Sequence, residues 1–133
     1  MPITESDQRT LPQVVAATAR ALPERVAISD GPVSLTYAEL DAARLRAAAA
    51  FLAAGLAHGE RIAIWAPNMW QWIVAAMGAQ TVGGVLVPLN TRLKGSEAGF
   101  ILRRSGARWL FTVGEFLGMR YPAMLELEDL PDL

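Results

Sequence analysis

Residues 62–91 carry no charged side chain, and this limits what the chain can fold into more than any other feature. A membrane-spanning helix needs about 20 consecutive apolar residues. Here Pro67, Asn68, Gln71, Gln80, the Gly83-Gly84 pair and Pro88 cut the stretch into three shorter pieces. Each piece suits a buried strand or helix, so no transmembrane segment is expected. Residues 61–66, with Ile62, Ala63, Ile64 and Trp65 apolar in succession, read as a strand covered on both faces, the pattern of a parallel sheet. Residues 69–82 read as a helix apolar nearly all round and therefore buried, with Asn68 as its cap and Gln71 as the reciprocal partner. Residues 85–87 read as a second all-apolar strand. Strand, helix, strand is a βαβ crossover, with a strong preference for the right hand.

The flanking segments extend this α/β reading. Leu11, Val14, Val15, Thr18, Ala19 and Leu22 repeat at helical spacing, Pro12 suits a first turn, and Pro23 stops the helix. Residues 26–29 and 33–36 read as a hairpin joined through Asp30, Gly31 and Pro32. Thr36 and Glu39 have capping-box spacing at the start of an alanine-rich helix that ends at Gly55. Leu40, Leu45, Phe51, Leu52 and Leu56 are expected to supply its buried weight. Further on, a polar loop at 90–95 leads to a helix opened by Ser96 and Glu97, then a strand at 107–112. A final helix is expected after Thr112, before a solvated acidic tail. The fold expected is one α/β unit, a mostly parallel sheet flanked by helices, with an N-terminal helix and hairpin.

Composition excludes much chemistry. The chain has 133 residues with 12 basic and 13 acidic side chains, so nothing draws polyphosphate over its whole surface and no nucleic-acid partner is expected. With 53% hydrophobic and 19% charged residues it has the material for a core. The absence of cysteine removes disulfides, thiolate metal sites and a cysteine nucleophile, and a lone His58 removes multi-histidine metal centres. The polar N-terminus shows no signal-peptide core.

Ligands of open parallel sheets sit at the carboxyl ends of the strands, here 66–69, 88–95 and 112–115. None of these is a GxGxxG or GxxxxGK[ST] phosphate loop. The run Gly95-Ser96-Glu97-Ala98-Gly99 has Lys94 where a nucleophile elbow needs glycine, so Ser96 reads as a helix cap. His58 reads as an exposed loop residue, away from those ends. Arg92, Lys94, Arg103, Arg104 and Arg108 form a basic cluster opposed by Glu97. Arg103 and Arg104 suit a helix C-terminus, whereas Arg92 and Lys94 sit in a loop after a strand and are candidates for a phosphorylated ligand. The four tryptophans read as core or as contacts to further protein surface.

Three segments resemble the AMP-forming adenylating enzymes: acyl-CoA synthetases, peptide-synthetase adenylation domains and luciferases. They are Leu35-Thr36-Tyr37-Ala38-Glu39-Leu40; Gly59-Glu60-Arg61-Ile62-Ala63-Ile64 with Pro67-Asn68; and Gly83-Gly84-Val85-Leu86-Val87-Pro88-Leu89-Asn90 with Thr91-Arg92-Leu93. In wording the chain looks closest to actinobacterial acyl-CoA synthetases, with a lean toward ligases of steroid-derived propanoates. The resemblance implies a cytoplasmic enzyme of lipid or steroid catabolism. It would join a carboxylate, a fatty acid or a steroid-derived propanoate, to ATP and then to coenzyme A, with Mg2+ present. The family's phosphate loop, magnesium motif, ribose-binding aspartate and C-terminal lysine domain have no counterpart here. Residues 1–133 would therefore be the N-terminal portion of the large AMP-binding domain, inactive alone and binding no cofactor tightly.

By the same resemblance no catalytic or metal-binding residue is assigned, and Arg92 corresponds to an arginine that approaches the phosphates of coenzyme A. The expected partner is the rest of its own polypeptide. An uncovered sheet edge and apolar face are expected, with self-association in consequence. The alternative is a stand-alone, non-catalytic interaction module derived from that fold; a phosphoryl-ligand binder using Arg92 and Lys94 is a third reading.

Overall fold

The computed structural model describes residues 10–133, so the N-terminal stretch read for targeting signals lies almost wholly outside them. Ile62, Ala63, Ile64 and Trp65 are all buried in β3 (Arg61–Trp65). This strand is central because parallel neighbours take both its edges. β4 (Val85–Pro88) and β5 (Trp109–Thr112) pair with it, giving the order β4-β3-β5. Successive side chains on a strand point to opposite faces, so β3 feeds two cores. Ile62 meets Phe51, Leu56 and Ala79 on one side. Ala63 and Trp65 meet Leu89, Ala98, Leu102 and Tyr121 on the other. The mixed α/β fold with a parallel sheet is as the sequence predicts; the third strand begins at Trp109, two residues later than expected.

Helices cover the Ile62 face in two tiers, the first in the chain packing on the next two. α1 (Leu11–Ala21) buries Pro12, Val15 and Ala19 and leaves Leu11 and Leu22 exposed, so its inner face is rotated from the one expected. β1 (Val26–Asp30) and β2 (Val33–Thr36) form the antiparallel hairpin. Asp30 pairs with Val33, so the connection is the two residues Gly31 and Pro32. α2 (Tyr37–Ala54) opens on the predicted box: the Thr36 N–H donates to Glu39 Oε2 at 2.8 Å, and the Glu39 N–H to Thr36 Oγ1 at 3.2 Å. Leu40, Phe51 and Leu56 are buried as expected, but Leu45 and Leu52 are 50% and 60% exposed. Alanines hold the inner face instead, because α3 (Trp70–Thr81) comes too close for leucine. A Cβ on Gly78 would lie 2.5 Å from that of Ala47.

α3 departs from expectation twice. Its N-cap is Met69, not Asn68, and the Trp70 N–H is taken by Asp30 Oδ2 at 3.0 Å from the hairpin. A carboxylate from elsewhere in the chain thus supplies the acceptor that the local sequence lacks. Nor is the helix buried all round. Ala76, Gly78 and Ala79 are buried, while the flank bearing Trp70, Gln71, Val74 and Ala75 opens onto an apolar groove of about 460 Å3. Phe51, Trp109 and Phe111 close the groove, and β5 has no strand on its outer edge among the described residues.

On the Trp65 face, α4 (Gly95–Ser105) starts one residue before Ser96. Lys94 is the N-cap and its N–H donates to Glu97 Oε2 at 2.7 Å, so Ser96 is not the cap. After Thr112 the chain forms a hairpin, not a helix: β6 (Glu115–Phe116) and β7 (Met119–Arg120). Leu117 and Gly118 both take positive φ, 50° and 75°, giving the tight turn a two-residue hairpin requires. α5 (Tyr121–Met124) then packs on α4. A Cβ on Gly95 would sit 1.9 Å from the Met124 carbonyl oxygen.

Gly95→Ala is therefore expected to cost about 1–3 kcal/mol in chemical denaturation, because backbone has to shift to admit one methyl group. Gly114→Ala, where nothing lies within 4 Å, is the control and should stay within about 0.5 kcal/mol. Equal effects at both sites would contradict this packing. The groove and open edge predict that the isolated chain self-associates. Sedimentation velocity should show a weight-average mass rising with concentration, and Phe111→Asp should suppress the rise.

Candidate functional site

The carboxyl ends of β3 and β4 meet in a cleft of about 710 Å3. Pro67, Asn68 and Trp72 line one wall, Asn90, Thr91 and Arg92 the other, and Phe116 from the β6–β7 hairpin borders it. Trp70 lines the apolar groove and Trp72 this cleft. Arg92 is exposed, and its guanidinium has no carboxylate partner among the described residues. Its loop is nevertheless well defined. The Arg92 N–H donates to Asn90 Oδ1 at 2.9 Å, and the Leu93 N–H donates to the Asn90 carbonyl at 3.1 Å. These bonds form an Asx turn within a β-turn.

Two buried rings reach this loop from the core. The Trp65 indole N–H donates to the Asn90 carbonyl and the Tyr121 hydroxyl to that of Thr91, each at 3.0 Å. The rings meet edge to face, with centroids 4.5 Å apart. Burying such a ring is worth ~3–5 kcal/mol and its hydrogen bond ~1 kcal/mol. Packing therefore dominates the stability, while the hydrogen bond chooses where the loop lies. Tyr121 was not among the sequence candidates; the following Pro122, suited to a helix start, was the local signal.

The basic cluster divides. Arg103 pairs with Glu128 at 2.9 Å, so one acid of the supposedly solvated tail is held, lying against Gly99. Arg108 pairs with Glu60 at the opposite end of the sheet. Exposed pairs of this kind contribute about 0–1 kcal/mol each, but they occupy the cations. Arg92 and Lys94 remain near the strand ends. Ser96 is exposed on α4, and the neighbouring Glu97 carboxylate is taken up by the Lys94 N–H. His58 is exposed and lies against Gly83, at the far end of the strands from the cleft. Arg44, not anticipated, is buried on α2, its guanidinium donating to Asp41 Oδ1 and to Thr81 Oγ1 at 2.9 Å. It bridges α2 and α3. Among the described residues no three His, Cys, Asp or Glu side chains converge. No described helix is long and apolar enough to cross a membrane.

Glu60, within the second of the resembling segments, has a structural duty. It accepts the Ala57 N–H at 3.0 Å and the Trp109 indole N–H at 3.1 Å, besides the Arg108 pair.

A family model for AMP-binding enzymes matches residues 15–131. This chain belongs to that family. Among curated proteins, the 7a-methyl-1,5-dioxo-octahydro-1H-inden-4-yl propanoyl:CoA ligase of Mycobacterium tuberculosis is 41% identical over 128 residues, which is 96% of this chain and 25% of that protein. The human mitochondrial medium-chain acyl-CoA ligase ACSF2 is 28% identical over 96% of the chain and 23% of its own length. Among solved structures, the N-terminal domain of FACL13 from Mycobacterium tuberculosis superposes with a TM-score of 0.73 at 33% identity, covering 76% of this chain and 26% of that one. The chain thus spans about a quarter of the length of the curated relatives it matches, and it resembles the N-terminal domain of acyl-CoA ligases. Within this AMP-binding fold the capping box, the Glu60 tie and the strand ends are architecture, and the Arg92 loop faces the cleft.

Hydrogen bonds from Ala57 and Trp109, reinforced by the Arg108 charge, hold the Glu60 carboxyl below its ordinary value of 4.5. A depressed folded-state pKa stabilises the fold above the unfolded value, and that contribution is lost as pH falls through the folded one. The melting-temperature gap between the chain and Glu60→Gln should accordingly shrink on acidification below pH 4.5. A gap unchanged down to pH 3, read by circular dichroism in the range where acid protonates carboxylates, would count against it.

Proposed function

We propose that this chain is the N-terminal segment of an ATP-dependent carboxylate–CoA ligase, contributing a three-stranded part of the large-domain sheet and the Arg92 loop. The observation that carries this reading is the 41% identity over nearly the whole chain to a propanoyl:CoA ligase four times its length. In such an enzyme the carboxylate displaces pyrophosphate from ATP, and coenzyme A then displaces AMP from the acyl-adenylate to give the thioester. The ATP, magnesium and catalytic groups lie in the remainder of the longer polypeptide on this reading, so residues 1–133 alone are inactive. Arg92 then contacts the phosphates of coenzyme A. An unpaired guanidinium beside the Trp72 and Phe116 rings suits a nucleotide phosphate with an adjacent base. The acyl substrate is a fatty acid or a polycyclic propanoate, and the enzyme works in the cytoplasm in lipid or steroid breakdown.

Intact mass of the protein from its source cells tests the segment reading. A mass several times 14.3 kDa supports it, whereas one near that value points to a stand-alone binding module. The phosphate role is tested by titrating coenzyme A into the chain and following amide shifts. Arg92→Ala should weaken binding about tenfold, the effect of losing a charge-assisted hydrogen bond of ~1.5 kcal/mol. Removing the 3′-phosphate of coenzyme A or neutralising its other phosphates should show which one Arg92 meets.

A further inference from the structure

The Thr91–Arg92 peptide is held at both ends of its plane. Its carbonyl oxygen, on Thr91, accepts the Tyr121 hydroxyl at 3.0 Å, and its N–H, on Arg92, donates to Asn90 Oδ1 at 2.9 Å. A peptide unit is planar, so fixing both ends fixes the direction in which the chain leaves at the Arg92 Cα. The preceding carbonyl is fixed as well, by the Trp65 indole. Tyr121 is 1% exposed, and its ring stands edge-on to a fully buried Trp65. Phenylalanine would fill that space equally well. The hydroxyl adds one thing, a donor for the Thr91 carbonyl, supplied from 30 residues further along the chain.

We propose that Tyr121 is a positioning residue for Arg92, locking the Thr91–Arg92 peptide plane so that the guanidinium is presented to the cleft at the strand ends. The proposal rests on the reading of Arg92 as a phosphate contact, and it extends that reading to α5, an element with no residue in the cleft wall. Tyr121 touches no ligand and acts through the loop.

The test uses the full chain with Tyr121→Phe, Arg92→Ala and the double variant. Amide hydrogen exchange is followed residue by residue, and coenzyme A is titrated by amide shifts. Tyr121→Phe is expected to speed exchange at Arg92 and Leu93 about fivefold, with β3 and α2 unchanged, since a net hydrogen bond of ordinary strength is lost locally. Coenzyme A binding should weaken about threefold in Tyr121→Phe, and not at all further when the change is added to Arg92→Ala. Unchanged exchange at these two amides, a uniform rise throughout the sheet, or additive losses in the double variant would each overturn the proposal. Asn90→Ala, at an exposed position, removes the other end of the clamp without risk to the core and should speed the Arg92 amide in the same way. If Arg92→Ala leaves coenzyme A binding intact, the phosphate reading fails, while the exchange measurements still decide the part played by Tyr121.

Discussion

A strand with both faces and both edges occupied cannot be accommodated at a surface, and β3 is such a strand. Ile62, Ala63, Ile64 and Trp65 must all leave water together, which requires two parallel neighbours and a layer of helices on either side. The βα connections follow, because parallel strands can be joined only by crossovers. So does the location of the cleft, since successive crossovers leave their loops at the carboxyl ends of the strands. Arg92 stands where it does because Val85–Pro88 runs parallel to β3 and ends beside it.

The features legible in the sequence were those with a local cause. The Thr36 and Glu39 pair announces a helix start by spacing alone, and four apolar residues in succession announce a strand buried on both sides. The misread features depend on contacts between distant residues. Asn68 is a good cap by type, yet Asp30 takes the role because the hairpin brings its carboxylate to the Trp70 N–H. Leu45 and Leu52 are among the heavier side chains of α2, but where Gly78 approaches Ala47 it is alanines that turn inward and these two leucines that face outward. The segment after Thr112 becomes a hairpin on the strength of a turn at Leu117 and Gly118. That turn carries only one glycine to mark it.

The site shows the same division. Arg92 was legible as a cation in a loop after a strand, with no helix end to account for it. The partners that distinguish it from Arg103 and Arg108 were not legible, since Glu128 and Glu60 lie 25 and 48 residues away in sequence. Structural ion pairs absorb those two cations and Arg104 sits in the last turn of α4, which leaves Arg92 and Lys94 in the loop at the strand ends. The three segments that signal the AMP-binding family are largely scaffold here: a capped helix, a carboxylate tying sheet to loop, and strand ends shaped by proline.

The long reach from Tyr121 to Thr91 also makes one part of the fold answerable to another. The three paired strands and the cluster around Ile62 use residues up to Thr112, whereas the second ring over Trp65 comes from α5. The loop bearing Arg92 therefore depends for its shape on the small hairpin and α5 being docked. Cleavage at the exposed Leu117 tip would leave α5 to hold the loop by ring packing and the Tyr121 hydrogen bond, with no covalent link across the turn.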